Sequence, residues 1–461
     1  MKTPSTREMP PSASSAVVRP DNYATLPEAM VKTVQHFVPD FFSALAQVKD
    51  PRDPTRITYP LPEEILVGIL ASMVKVESRR NIKFRLGTSQ AFIKNLVLIL
   101  KTFYPKSLFP EDRLLHGCTL NYLLKRVSVK AIHGLRILVI RSLLRKRCLE
   151  QYRLFNTYYP LAIDGTGCLV FHTRHCRHCL TKTHNGKTLY YHPVLEAKLS
   201  LANGMALSVE SEFIENERED VPKQDCERKA FYRLAPQLKR DFPQLSICLL
   251  LDGLFACEPV FRICADNHWS YIITFKEGSM PAVFAEYEAL QKLAPEQVLV
   301  IHPKKGVRQT YHWVNDIDYA GRKMNVLECV EETRKGKTRF VWFASFRLNA
   351  ANAKEIAETG RCRWKIENGF NVQKNGGYEL EHAFSEDNVA MKNFYVLMQI
   401  AHIFNQLMEK GSLIWDRLRN SMGSLKVFSL KLWAALTETL IDPVRLQDLL
   451  AQRIQIRFDT S

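Results

Sequence analysis

Tyr159-Pro160-Leu161-Ala162-Ile163-Asp164-Gly165-Thr166-Gly167 is a short apolar run that meets a carboxylate and then two glycines. Further along, Leu245-Ser246-Ile247-Cys248-Leu249-Leu250-Leu251-Asp252-Gly253 repeats the arrangement. Apolar runs of this length bounded by turn residues read as buried strands. They predict β-structure with Asp164 and Asp252 at strand ends. An ionised carboxylate on the margin of a hydrophobic strand is costly without a cation or donors, so two such cases invite a metal. The competing reading is that each Asp ends its strand and caps the next turn.

Working outward, 188–199 and 205–213 also read as strands, 223–240 as a helix, 259–266 as a second helix and 271–275 as a strand. Together these predict a mixed α/β core over 155–280. Residues 281–350 read as β-rich, with strands at 297–301, 309–314, 323–330 and 339–346. Asn352 followed by Glu355 offers a capping box for a helix that runs to Lys374, and Gly376 and Gly377 supply its stop. Residues 351–410 then complete the core, and 411–461 are a helical C-terminal segment. Before the first strand, 25–150 carry a helical apolar period, and 1–24 are a Pro- and Ser-rich tail.

With 461 residues, the chain exceeds one ordinary core. Its 46% hydrophobic, 10% aromatic and 24% charged residues exclude a disordered or fibrous protein. Apolar stretches such as 65–74 stop short of the roughly 18 residues of a membrane helix. No secretory signal is visible, so a cytoplasmic, nucleoid-associated location without membrane partners is expected. Eleven scattered cysteines read as reduced thiols. The formal net charge is +16, and +12 of it lies in residues 1–150, which hold 24 Lys and Arg against 12 Asp and Glu. That asymmetry suggests a polyanion, most often nucleic acid, although a solvated basic surface gives the same count. Two groups stand out: Arg79, Arg80, Lys83 and Arg85, and then Lys125, Arg126, Lys130, Arg136, Arg141, Arg145, Lys146 and Arg147. On helices such side chains could follow successive phosphates without reading bases.

Arg363, Glu367 and Lys374 lie at i, i+4 and i+11, within about 40° of one another on a helix face. A surface salt-bridge ladder has the same spacing. The segment Gly360-Arg-Cys-Arg-Trp-Lys-Ile-Glu-Asn-Gly-Phe-Asn-Val-Gln-Lys374 resembles the signature helix of DDE transposases of the insertion-sequence-four type, Y-(2)-R-(3)-E-(6)-K, with Gly360 in place of the tyrosine. The order Asp164, Asp252, β-rich insertion, Glu367 is similar too, and the likeness covers roughly residues 155–410. It implies an RNase H-like core in which Asp164, Asp252 and Glu367 hold two Mg²⁺ ions, with Mn²⁺ able to substitute, while Arg363 and Lys374 hold the DNA backbone. It also implies binding of terminal inverted repeats in double-stranded DNA, a cut-and-paste route, possible hairpin ends and a homodimeric synaptic complex. A nuclease without strand transfer and a domesticated, non-catalytic DNA-binding protein are the alternatives.

Two further expectations carry less of the reading. Cys176 and Cys179, with two of His172, His175, His178 and His184, have the ligand types for zinc, against an ordinary polar hairpin. Trp313 could stack on a displaced base in the way of inserted aromatics in the resembling family, against plain packing in a sheet; Trp342 and Trp364 compete for that role.

Overall fold

The run Ile247–Leu251 forms strand β5, and all five residues are buried, as a strand covered on both faces requires. The computed structural model describes residues 25–382, 384–414 and 425–458, with the backbone alone at His184, Leu425 and Lys426. The tail expected over 1–24 lies outside the described residues. Strand β5 sits within a ten-stranded mixed sheet. It pairs in parallel with β1 (Tyr159–Phe171) on one side and β6 (Ser270–Thr274) on the other. Antiparallel to β1 runs β3 (Lys187–Ser200), which also carries β2 (Leu180–His184) and β4 (Ala206–Phe213).

The β-rich stretch extends this same sheet. Strands β7 (Val298–Lys304), β8 (Val307–Tyr319), β9 (Arg322–Thr333) and β10 (Gly336–Ala344) form an antiparallel meander, and β10 pairs with β6 through Trp342, Phe343 and Ala344. The chain is therefore mixed α/β, as its texture predicts.

Three local readings differ from the sequence expectation. Strand β1 does not end at Asp164 but continues through Gly165-Thr166-Gly167 to Phe171, because β3 pairs with it along that length. The capping box at Asn352 does not form. Asn352 Oδ1 instead accepts from the Asn349 amide, and Glu355 reaches the Phe155 amide at 2.7 Å. The expected single helix is two, 353–361 and 364–375, joined at Cys362 and Arg363 by three-residue turns in which Lys365 N donates to Cys362 O and Ile366 N to Arg363 O.

Ahead of the sheet lie α1 (Leu26–Phe37), α2 (Phe41–Ala46), α3 (Leu61–Met73), the short α4 (Arg79–Asn81), α5 (Gln90–Phe103), α6 (Gly117–Leu124) and α7 (Val129–Arg145). Two helices flank β5 in sequence, α8 (Glu227–Asp241) and α9 (Glu258–Asp266); α10 (Pro281–Leu293) precedes the meander. After it come α11 (Ala353–Arg361), α12 (Trp364–Asn375) and α13 (Asn388–Lys410).

Helix α13 joins the two halves. It is buried on nearly every side, and the nitrogens of its buried side-chain amides each find acceptors. Asn393 Nδ2 donates to the carbonyls of Leu124 and Val127 after α6, and Asn405 Nδ2 to that of Met73 at the end of α3. Gln406 exchanges hydrogen bonds with the Ala206 backbone at the start of β4. Orphan carbonyls at two helix ends are thus satisfied by the element that also grips the sheet. Among the described residues no helix is long and apolar enough to cross a membrane.

Candidate active site

The pairing of β1 with β5 matches Tyr159 to Ile247 and Ala162 to Leu250. Asp164 and Asp252 each follow the last paired residue by two, so both stand where β1 and β5 part, and Asp164 feels the charge of Asp252. Asp252 ends its strand as expected, and its Oδ1 accepts the Leu254 amide at 2.9 Å. Asp164 Oδ1 accepts the amide of Gly165 at 3.0 Å.

Helix α12 brings the third acid. Arg363, only 8% exposed, stands at its start. Its Nη1 lies 3.4 Å from Asp164 Oδ2, and its Nη2 donates to Glu367 Oε1 at 2.6 Å. One guanidinium therefore ties a mid-strand aspartate to a half-exposed glutamate on the helix. Asp164, Asp252 and Glu367 share a neighbourhood: burial chiefly, with Glu367 and Asp252 adding, pushes Asp164 up to about 6 against the pull of Arg363.

A fourth carboxyl stands here that sequence reasoning missed. Glu227 opens α8 and lies so close over Gly165 that any Cβ at 165 would overlap its carboxylate. Burial, then Asp164 and Asp252, push Glu227 up to about 7. In sequence Glu227 is only an acid in a helix's first turn, which the helix dipole accounts for alone. The glycine at 165 was the available signal, since close approach is one reason for a glycine inside a strand.

Gly360 departs from the signature for a visible reason. A Cβ there would lie 2.7 Å from Trp342 Nε1, so the indole fills the space a tyrosine would need. Lys374, at the other end of α12, is ion-paired with Glu381 at 2.8 Å. Trp313 corrects the stacking expectation. It is 7% exposed and packs in a cluster with Tyr311, Leu327 and Trp342 under the meander, because its strand alternates that face inward. Trp342 is likewise buried, whereas Trp364 is 43% exposed at the start of α12, edge-on to Phe340.

The basic residues divide. Arg80, Lys83, Lys125, Arg126, Lys130, Arg145, Lys146 and Arg147 are exposed. Arg79 is half-buried, and Arg85 pairs with Glu77 at 3.0 Å while lying over Trp433. The second group is not one patch. Lys125, Arg126 and Lys130 sit around the start of α7 and Arg145, Lys146 and Arg147 at its end, about 25 Å along the axis. Between them Arg136 is fully buried, bonded to Ser208, Ser211 and Glu210, and Arg141 is spent on the Asp241 carbonyl.

Among the described residues, two sets have ligand atoms all within 4.8 Å of one another: His133, Glu210 and Asp241, and His175, Cys176, Cys179 and His192. The first is an ion-pair knot around Arg136, with His133 Nε2 at 2.8 Å from Glu210 Oε1. The second holds both expected cysteines and one of the four candidate histidines, His175, with His192 as its other imidazole. His172 is exposed and outside the set, and the His184 side chain lies outside the described residues. His192, on β3, was missed because it lies beyond the turn after β2 and comes beside the C-x-x-C run only when β2 pairs back on β3, Leu180 opposite Tyr191.

No family model and no curated protein matches this chain. The chemistry of the site rests on its own residues: four carboxyls, two of them raised toward neutrality by burial, with a buried guanidinium tying Asp164 to Glu367.

Proposed function

We propose that this chain is a DDE-type transposase with an RNase H-like core, which cleaves DNA at the ends of its element and joins the freed 3′ ends to target DNA. The observation that supports the reading is the Arg363 bridge between Asp164 and Glu367, combined with the nearness of Asp252, which follows the strand paired with that of Asp164 and acts on its charge. A surface salt-bridge ladder, the plain alternative for the α12 pattern, would not reach a half-buried aspartate on a central strand.

An all-oxygen donor set suits Mg²⁺ or Mn²⁺, which prefer carboxylates with water and phosphate. Asp164, buried and crowded by the other acids, fits a position that a cation completes. Asp164, Asp252 and Glu367 would hold two such ions. When bound, they stabilise the attacking and leaving oxygens of an in-line phosphodiester displacement.

The chain's own groups set the geometry. Arg363 fixes Asp164 and Glu367 relative to each other and offsets their repulsion while no cation is held. Glu227 adds a carboxyl over Gly165 that can accept a proton near neutral pH. Exposed cations on α4, just after α6 and on α7 grip phosphates, and Trp364 presents a ring one helical turn before Glu367 for an unpaired base. The meander carried by β10 is the insertion of this fold family.

Incubating the protein with supercoiled plasmid bearing the inverted repeats that flank its gene, in Mg²⁺ or Mn²⁺, tests the proposal. Joined products are expected. Cleavage alone would make the chain a nuclease, and binding alone a non-catalytic DNA-binding protein.

A further inference from the structure

Between β1 and β2 the chain makes a short excursion and folds it back over β3. Four side chains then face one another. Cys176 Sγ lies 3.5 Å from Cys179 Sγ and 3.4 Å from His192 Nε2. Cys179 Sγ lies 3.4 Å from His192 Nε2 and 3.4 Å from His175 Nδ1. We propose that His175, Cys176, Cys179 and His192 form a structural zinc site.

Distances favour a metal. With Zn–S near 2.3 Å and Zn–N near 2.0–2.1 Å, a tetrahedron has S···S edges of about 3.8 Å and S···N edges of about 3.6 Å. The separations here fall within roughly 0.3 Å of those edges. Both cysteines are free, and their sulfurs are too far apart for a disulfide. Burial favours it as well. Cys179 is 0% and His192 1% exposed, yet at Nε2 the imidazole meets only thiols, which are weak donors and weak acceptors. Such a group is poorly satisfied in a core unless something binds all four atoms at once.

The surroundings match a metal-bound histidine. His192 Nδ1 faces Glu215 Oε1 at 3.9 Å, and neither atom makes a hydrogen bond in this arrangement. Glu215 is itself held by Lys392 Nζ at 2.6 Å. A carboxylate behind the second ring nitrogen is the usual support for an imidazole ligand. Asn216 secures the loop by donating from Nδ2 to the Cys179 carbonyl at 3.1 Å and from its backbone to His178 O at 3.2 Å.

Two thiolates and two imidazoles suit Zn²⁺ and not Mg²⁺, and four protein ligands leave no open position. On binding, two thiols give up their protons to solvent as two Zn–S bonds form. The site is separate from the acids, since Phe171 lies seven residues beyond Asp164, roughly 20 Å along β1. Zinc there clasps the β1–β2 connection to β3 and steadies the far end of the strand that carries Asp164.

Elemental analysis of the intact protein purified without added metal is expected to give one zinc per chain. Cys176→Ser and His192→Ala should lose it, His192→Cys should keep it as a three-thiolate site, and Cys226→Ser should leave it unchanged. Should the losing variants misfold, the wild-type chain decides. Exchange of its metal for Co²⁺ should give the intense visible bands of a tetrahedral cobalt–thiolate centre. A wild-type protein free of zinc that gives no such bands with Co²⁺ would overturn the proposal, as would retention of zinc by a folded His192→Ala chain.

Discussion

Gly165 is a residue on which the acid site turns. Its missing side chain makes room for the Glu227 carboxylate, so Gly165→Ala must displace either the strand or the head of α8. Overpacking of this kind costs about 1–3 kcal/mol, and a denaturant midpoint should fall accordingly. An unchanged midpoint and unchanged divalent-ion affinity would mean that Glu227 stands clear of the site. Glu227→Gln, which keeps the shape and removes the charge, should keep the fold while lowering activity most above pH 7, where the carboxyl is ionised and can accept a proton. A pH–rate profile identical to that of the wild type would exclude it from the chemistry. At this scale Asp164 and Asp252 stood out because a carboxylate beside an apolar run contrasts with its neighbours, and Glu367 because of its spacing from Arg363 and Lys374. Glu227 was not, since its meaning comes only from what it packs on. Trp313 was misread for the converse reason: an aromatic in an alternating strand says that a face is apolar, not which face is covered.

Elements show the same division between local and non-local signals. The strands of the meander were readable from their pattern, as was the parallel core strand β5 from its unbroken apolar run. Strand β2 escaped because five mostly polar residues carry no hydrophobic period, and it exists only because β3 offers an edge. The break between α11 and α12 escaped because Cys362 and Arg363 are compatible with helix; the turn there accompanies the contact of Arg363 with Asp164, a partner far away in sequence. Helix α13 invites its own test. Asn393→Ala leaves the carbonyls of Leu124 and Val127 without their buried donor, a loss of about 2–3 kcal/mol. Chemical unfolding of the variant measures it. A change under about 0.5 kcal/mol would mean that the amide is not what ties α6 to this helix.

Across the whole molecule, charge is divided between a basic exterior on the N-terminal helices and a buried network beneath the sheet. Lys198, fully buried, bonds Gln373 Oε1 at 3.2 Å and lies over Phe370; burial lowers its pKa to about 8. Unfolded, a lysine keeps its proton to about 10.4, so between these values the unfolded chain binds more protons and stability rises with pH. The cost of the buried charge is fully present below pH 8. A gain of roughly 2–3 kcal/mol is expected between pH 8 and 10. Lys198→Met should flatten that slope in thermal or denaturant unfolding, and an equal slope in both proteins would contradict the assignment. On the exterior, replacing Lys125 and Arg126 together by alanine should reduce the slope of log affinity for DNA against log salt by about 2, uniformly across sequences. A loss confined to one sequence would instead mark them as base readers.

The convergence of the acids is open to one direct measurement: Mn²⁺ binding followed by electron paramagnetic resonance in the wild type and in Asp164→Asn, Asp252→Asn and Glu367→Gln. Saturable binding by the wild type is expected, weakened at least about tenfold, or roughly 1.4 kcal/mol, in every variant, while circular dichroism and DNA affinity hold. Wild-type binding retained by all three folded variants would mean that these carboxylates do not share a metal.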